Sequence, residues 1–540
     1  MFRLWANYAT DLRQEFRGYG VNNFRKDLLA GITVAAVALP LALAFGVGSG
    51  ADAAAGLITA IIAAFVISAL SGASFQISGP TGAMTAILVP LVARYGLGTL
   101  FAACFLAGIL LILAGIFRMG NLVYFIPSPV IAGFTSGIAL IIALGQFGNL
   151  FGIPLKGENV MMQIVYLYQV TISPNWSALI IGLFVILLMA LWPAKWSTRF
   201  PASLAGVITA TVITALFDLP VQTVGAIPQT LIHDTHFSFA SLASIQLDVI
   251  LLPAISIALL CMIESLLCGA VAGRMKGERM NADRELIAQG VGNMILPFFG
   301  GVPATAAIAR TSVAIKSGAV TRMTGILHGA VLLLSMFLLS PFMSQIPMSA
   351  LAGVLIVTAW RMNDWQNIRY LFDHKFKGAI FKFTLTMLTT VFFDLTIAIF
   401  TGVLFSIALF IVRISHLQVS VSNVDAERLG LSESIHRHVQ VVYITGAAFF
   451  GSLEQLESGL NKANGKVLIL SMRGVPFIDT SAVTFLLEFC ESKKQEGVTV
   501  LFSSIQPSVK TMLDRAGVTD IIGSNSYYSN AKDAILAHLV

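Results

Sequence analysis

Charge is what this sequence has least of. Asp, Glu, Lys and Arg make up 11% of the 540 residues, against about a quarter in soluble domains. Hydrophobic residues make up 56% and the mean hydropathy is +0.84, so most of the chain belongs in a bilayer rather than in water. Cysteine is also scarce. Cys104, Cys261 and Cys268 lie in apolar runs and Cys490 lies in the C-terminal part. No CxxC pair or metal-ligand spacing exists, which argues against a disulfide framework and a zinc site. The eight His residues show no ligand spacing, and no Ser/His/Asp order, nucleotide loop or ATPase motif stands out. An enzyme is therefore the least favoured class, and no cofactor or metal is expected. There is no low-complexity segment, and residues 1–27 lack the apolar core of a cleavable signal. They read as a cytoplasmic or interfacial segment, helical in part.

Long apolar runs are what the sequence does have. Runs of about 20 apolar residues cross a bilayer, and shorter ones need protein or water at their ends. Reading by that rule gives about fourteen segments. They begin near Leu28, Ala53, Pro80, Leu97, Leu122, Ser177, Ser203, Val249, Leu286, Pro303, Met323, Ser349, Gly378 and Leu395. Basic residues cluster after the even-numbered segments: Arg118, Lys195 with Arg199, "GRMKGERMNADR", Lys316 with Arg322, and "RMNDWQNIRYLFDHKFK". The odd-numbered connections carry almost none, so the positive-inside rule puts both termini in the cytoplasm. The same rule accounts for the net charge of +6 without nucleic acid as a partner.

The transmembrane part is expected over 28–415 and a polar linker over 416–438. Over 439–540, "VQVVYITGAAFFG" and "KVLILSMRG" read as strands, while "SAVTFLLEFCESKKQEG" and "PSVKTMLDRAG" read as amphipathic helices. That is a small α/β domain.

Two polar breaks interrupt the apolar runs. "FQISGPTGAM" in the first half has a counterpart in "FFGGVPATAAIARTSVAI" in the second. Proline suits a first helical turn, so each break reads as a helix starting inside the membrane at Pro80 or Pro303. Paired, interrupted segments in corresponding halves point to an inverted-repeat transporter with a site near the midplane. Helix N-termini favour anions, and Ser78, Thr81 and Thr305 add hydroxyls. Kinks that merely permit close helix packing are the simpler alternative.

Glu264 lies within an apolar run, where a carboxylate is costly and hence a functional candidate. It would take up a proton or help to hold a sodium ion, or else serve in helix packing. Arg310 would reach back to the anion or snorkel to the cytoplasmic surface, and the pocket-facing role is preferred. Arg94 is expected at an interface, and Asp394 at a helix end between the last two segments.

The stretches "DLLAGITVAAVALPLALAFG", "ISGPTGAM", "IESLLCGAV", "NADRELIAQGVGNMILPFFGGVPATAAIARTSVAIKSGA" and "VFFDLTIAIFTGV" resemble the SulP family of anion transporters. "ILSMRGVPFIDTSAVTFL" resembles a STAS domain. The resemblance implies an α-helical polytopic membrane protein with two inverted seven-segment repeats, a core domain moving against a gate domain, a cytoplasmic STAS domain and a homodimer. It also implies an anion held between segments one, three and ten. By position, its contacts are Leu41, Phe45, Ser78, Gly79, Pro80, Thr81, Ala304, Thr305, Ala306, Ala307, Ala309 and Arg310.

Sodium-coupled bicarbonate transporters of that family have Asp and Thr where this chain has Glu264 and Cys268. A thiol is a poor ligand for a hard cation, so a proton is the expected coupling ion and sodium the lesser alternative. "ATAAIAR" is similar to the bacterial dicarboxylate transporter of the family. Thr480 and Ser481, after Asp479, match the position phosphorylated in related STAS domains, although helix capping alone explains these residues. The expected function is secondary active transport of sulfate, a dicarboxylate or bicarbonate across the cytoplasmic membrane by an elevator-like, proton-coupled symport. The alternatives are an uncoupled exchanger or channel, and a membrane anion sensor signalling to a cytoplasmic partner through the STAS domain.

Overall fold

A computed structural model describes residues 2–121, 126–153, 174–193, 200–239, 247–393, 395–424 and 438–538. The expected segment start at Leu122, the loop residues Lys195 and Arg199, the helix-end residue Asp394, and 425–437 of the linker lie outside these residues. The chain divides into two compact units, Met1–Val403 and Leu404–Val540.

The first unit is built from α1 (Phe2–Glu15), α2 (Val21–Gly48), α3 (Ala53–Leu70), β1 (Ser78–Gly79), α4 (Gly82–Ile116), α5 (Ser128–Gly145) and α6 (Phe147–Phe151). There follow α7 (Trp176–Leu191), α8 (Ala202–Leu216), α9 (Leu247–Lys276), α10 (Ala282–Ile295), β2 (Thr305–Ala306), α11 (Ile308–Lys316) and α12 (Met323–Met343). The series ends with α13 (Met348–Met362), α14 (Trp365–Asp373), α15 (Lys377–Phe392) and α16 (Leu395–Ile414), within which the division between the units falls. Among the described residues, six helical stretches are long and apolar enough to cross a membrane: α2, α3, α4, α5 with α6, α9 and α12.

Helix α3 is apolar on every side because it is buried on nearly every side. Its N-terminus is capped by Asp52, which accepts from the Ala55 N–H at 2.8 Å. It lies unusually close to α2. A Cβ on Gly46 would stand 2.3 Å from the Asp52 carbonyl oxygen, and one on Gly56 would stand 2.0 Å from that of Ala42. Only glycine permits this approach. Helix α4 carries both the third and fourth expected segments, with Gly96 at φ 78° breaking it between them.

Two helix starts differ from expectation. Helix α4 begins at Gly82 with Thr81 as its N-cap, so Pro80 precedes the cap. Helix α11 begins only at Ile308, well after Pro303. Neither proline occupies a first turn. Thr305 and Ala306, expected in a helix, form a strand that pairs with the break before Pro80, Ser78 opposite Ala306 and Gly79 opposite Thr305. Proline's fixed φ suits extended backbone as well as a helix start, and tertiary bonds decide between them here. The Val302 N–H donates to Thr59 Oγ1 at 2.7 Å, and Asn293 binds both backbone groups of Ala304.

The second unit is a five-stranded sheet in the order β3–β4–β5–β6–β7, made by Gln418–Asn423, Val439–Thr445, Val467–Gly474, Thr499–Ser503 and Tyr527–Tyr528. Strand β3 runs antiparallel to β4, and the remaining pairs are parallel. Val442, Leu470, Phe502, Leu486 and Leu513 lie in its core. The first strand comes from the stretch expected to be linker. "QVSVSN" alternates, and it packs Val419 and Val421 on the core while its serines face outward.

Candidate functional site

The pairing of β1 with β2 brings the N-termini of α4 and α11 together. Their N-caps, Thr81 and Ala307, are extended, and neither makes a side-chain capping bond. The leading N–H groups of a helix have no intrahelical acceptor, and they carry the positive end of its dipole. Two such ends converge here without caps.

Arg310 joins them. Its side chain is 1% exposed, so it does not snorkel. Nη2 donates to the Pro80 carbonyl oxygen at 2.8 Å, while Nη1 is buried with no hydrogen-bond partner among the described residues. Gly79 makes the room, because a Cβ there would stand 2.5 Å from Nη1. From α2, Leu41 and Phe45 are buried. The Phe45 ring lies 3.1 Å from where a Cβ on Gly82 would be, and Ile142 Cδ1 lies 2.6 Å from it. The start of α4 is thus roofed by apolar groups.

The three expected hydroxyls have different partners. Ser78 Oγ accepts from Gln289 Nε2 at 2.8 Å. Thr81 Oγ1 donates to Glu264 Oε2 at 3.0 Å. Thr305 Oγ1 bonds Ser265 Oγ at 2.8 Å and the Cys261 carbonyl oxygen at 3.4 Å, on the α9 side. The Ala306 N–H also goes to Ser265 Oγ, at 3.2 Å, and the Ala307 N–H goes to the Ile77 carbonyl, at 3.1 Å. Of the expected contacts, Ser78, Gly79, Pro80, Thr81 and Arg310 are gathered, with Leu41 and Phe45 buried on α2. Ala304, Thr305 and Ala306 form the bonded backing. Ala307 is half-buried and Ala309 exposed. Arg94 is exposed beside Tyr95.

Sequence reasoning missed the scaffold behind the site. Glu285, Gln289 and Asn293 are fully buried and follow one another at four-residue spacing along α10, so they share one face. Glu285 Oε2 accepts from Ser71 Oγ at 2.5 Å and from the Gly72 N–H at 2.9 Å. Its Oε1 accepts from Gln289 Nε2 at 2.8 Å. Asn293 donates to the Ala304 carbonyl oxygen at 2.9 Å and accepts from the Ala304 N–H at 2.8 Å. A stripe of polar residues at i, i+4 and i+8 was the available signal.

A second missed carboxylate, Asp27, is fully buried. It accepts from the N–H groups of Val320 and Thr321, from the hydroxyls of Thr321 and Thr324, and from Tyr19. Burial first, and the Asp27 carboxylate second, push the Tyr19 phenol up to about 12. Among the described residues, no cluster of His, Cys, Asp or Glu is arranged to hold a metal ion. In the second unit, Asp479 caps the helix Thr480–Gln495 by accepting from the Ala482 N–H at 2.9 Å. It also accepts from the Phe450 N–H at 3.0 Å. Thr480 beside it is exposed and Ser481 half-buried.

Residues 24–384 match the Sulfate permease family, and residues 432–534 match the STAS domain. YvdB of Bacillus subtilis is 36% identical over 529 residues, covering 95% of this chain and 98% of that one. The bicarbonate transporter BicA of Picosynechococcus is 30% identical over 485 residues, covering 85% of each. The murine solute carrier 26 family member A9, an anion transporter solved in its inward-facing state, superposes with a TM-score of 0.82. That match covers 96% of this chain and 92% of that one. At 17% identity the likeness speaks for the fold alone.

Proposed function

The chain belongs to the sulfate permease family, and from that membership and the site's geometry we propose that it is a proton-coupled symporter of a small anion. It is a multi-pass membrane transporter with a STAS domain, not an enzyme. The proposed cargo is sulfate, bicarbonate or a dicarboxylate. The proposed site consists of the leading N–H groups of α4 and α11 with Ser78, Thr81 and Arg310, under Leu41 and Phe45. One observation carries this reading: two uncapped helix N-termini meet at a buried guanidinium that has an unpartnered Nη1. That arrangement has more donors than its own acceptors take up, and it suits a partly dehydrated anion.

Glu264, one hydrogen bond from the site through Thr81, is the proposed proton carrier. An elevator movement of a core against a gate, an inverted repeat and a homodimer in the cytoplasmic membrane belong to the same proposal. So do cytoplasmic termini and regulation of the STAS domain through Thr480 or Ser481 by a cytoplasmic partner.

The test is initial uptake of labelled sulfate, bicarbonate and a C4-dicarboxylate into proteoliposomes under an imposed proton or sodium gradient. Uptake of one anion driven by inward protons is expected. Uptake that ignores both gradients would refute symport in favour of exchange. Saturable binding without flux would refute transport in favour of sensing.

A further inference from the structure

The three hydroxyls around the proposed site differ in what their protons are free to do. An ionised carboxylate is an acceptor only, so Thr81 commits its single proton to Glu264 Oε2 at 3.0 Å and has none left for an anion. Ser78 is the reverse case. Its oxygen accepts from Gln289 Nε2, which is itself fixed against Glu285 Oε1, and the Ser78 proton is left for a ligand. The Thr305 hydroxyl lies between Ser265 Oγ and the Cys261 carbonyl oxygen, so its proton belongs to the scaffold. One donor is therefore permanent, one is committed elsewhere, and one depends on the state of its partner.

We propose that Thr81 is the residue through which protonation of Glu264 sets the affinity for the anion. When Glu264 gains a proton, its carboxyl group becomes a donor toward Thr81 Oγ1. The hydroxyl then rotates, and its own proton turns toward the first N–H groups of α4, where the anion would lie. The proton taken up stays on the Glu264 carboxyl, and no covalent bond forms to the anion or breaks in it. Linkage makes the effect reciprocal: the bound anion raises the proton affinity of Glu264 by the same factor that the proton raises anion affinity. The pair is then loaded and released together, as symport requires. The inference rests on the anion-transport reading and adds to it the residue that performs the coupling.

Glu264 also acts through space. The ionisable groups that interact with it are Arg310 on α11 and the thiols of Cys261 and Cys268 on its own helix. Neutralising Glu264 weakens the repulsion of any anion whether or not Thr81 responds. The test must therefore compare pH responses rather than affinities at one pH.

Initial rates of labelled sulfate uptake into proteoliposomes of the full chain, with labelled succinate and bicarbonate run alongside, give KM at mildly acidic and mildly alkaline pH. Sulfate keeps the same charge over that range. In the wild type, KM is expected to rise with pH. Thr81→Val is isosteric, and it should shrink the alkaline-to-acid KM ratio roughly tenfold, the worth of one hydrogen bond to a charged group. Thr81→Ser should restore the wild-type ratio, and Glu264→Gln should abolish the pH dependence. Binding, read as sulfate protection against thermal unfolding, should follow the same order and does not depend on flux.

A Thr81→Val ratio equal to that of the wild type overturns the relay and leaves the transport reading standing. So does a Thr81→Ser variant as insensitive as Thr81→Val. Wild-type uptake independent of pH overturns the relay together with proton coupling. The absence of both flux and binding for all three anions overturns the transport reading, and the relay with it.

Discussion

Gly79→Ala tests whether the guanidinium of Arg310 belongs to the site, because the two residues occupy adjoining space. The added Cβ would stand 2.5 Å from Nη1 and 3.3 Å from Cζ, against roughly 3.5 Å for an ordinary contact. The guanidinium must retreat, and little empty space awaits a side chain that is 1% exposed. The movement strains or breaks the 2.8 Å bond from Nη2 to the Pro80 carbonyl oxygen. It also moves Nη1, the unpartnered donor, away from the strand pair. A hydrogen bond from a charged donor is worth about 1.5–3 kcal/mol, so anion affinity should fall by about ten- to hundredfold. The assay is a double-mutant cycle, with Kd for sulfate measured in the wild type, Gly79→Ala, Arg310→Lys and the combined variant. Lysine lacks the forked head that the Cβ would strike, so Gly79→Ala should cost much less when Arg310→Lys is already present. If it costs the same in both backgrounds, the clash with Arg310 is not the cause, and the placement of that side chain against Gly79 is wrong.

Other predictions concern the frame around the site and the second unit. Asn293→Ala leaves the Ala304 N–H unpaired in the interior and its carbonyl oxygen with only the weak thiol donor of Cys261, at 3.4 Å. It should destabilise the protein by about 2–5 kcal/mol, and thermal unfolding within error of the wild type would contradict the assigned bonds. Asp27→Ala removes the acceptor for two N–H groups and three hydroxyls. A loss of about 3 kcal/mol or more is expected, with faster hydrogen exchange at Val320 and Thr321 as its local signature. Burial pushes the Cys490 thiol up to about 12, so maleimide at neutral pH should label it only after denaturation. Prompt labelling of the native protein would show that the helix Thr480–Gln495 is not packed on its sheet as described.

The helices were legible because the bilayer imposes a length and a composition that a linear scan detects. The expected starts at Ala53, Met323 and Leu395 coincide with those of α3, α12 and α16. The scan failed where a helix leaves the apolar regime. Helix α2 runs back to Val21 through Asn22, Asn23, Arg25 and Lys26, residues that no hydropathy window would assign to a span. It failed again at "PATAA", where the propensity of proline for a first helical turn pointed to a helix start and the structure has a strand at Thr305–Ala306. Propensity is worth only tenths of a kcal/mol per residue, less than the paired bonds from Asn293 and Ser265 that hold the backbone extended. Strand β3 escaped notice for a similar reason, since a strand with only one face on the core looks polar over half its length.

The site itself was only half legible, and the missing half explains why the arrangement works. Helix ends, a buried arginine and small residues can be read along the chain, because each leaves a mark at its own position. What each hydroxyl can do is fixed by partners far away in sequence: Ser78 by Gln289, Thr81 by Glu264, and Thr305 by Ser265. Serine and threonine donate a single proton, so a hydroxyl that faces an anion binds it only if nothing else holds that proton. The stripe Glu285, Gln289 and Asn293 supplies this condition. Gln289 donates to Ser78 and so leaves its proton free, and Asn293 fixes Ala304 so that β2 stays in register with β1. A change on that face of α10 should therefore alter anion affinity without touching the anion.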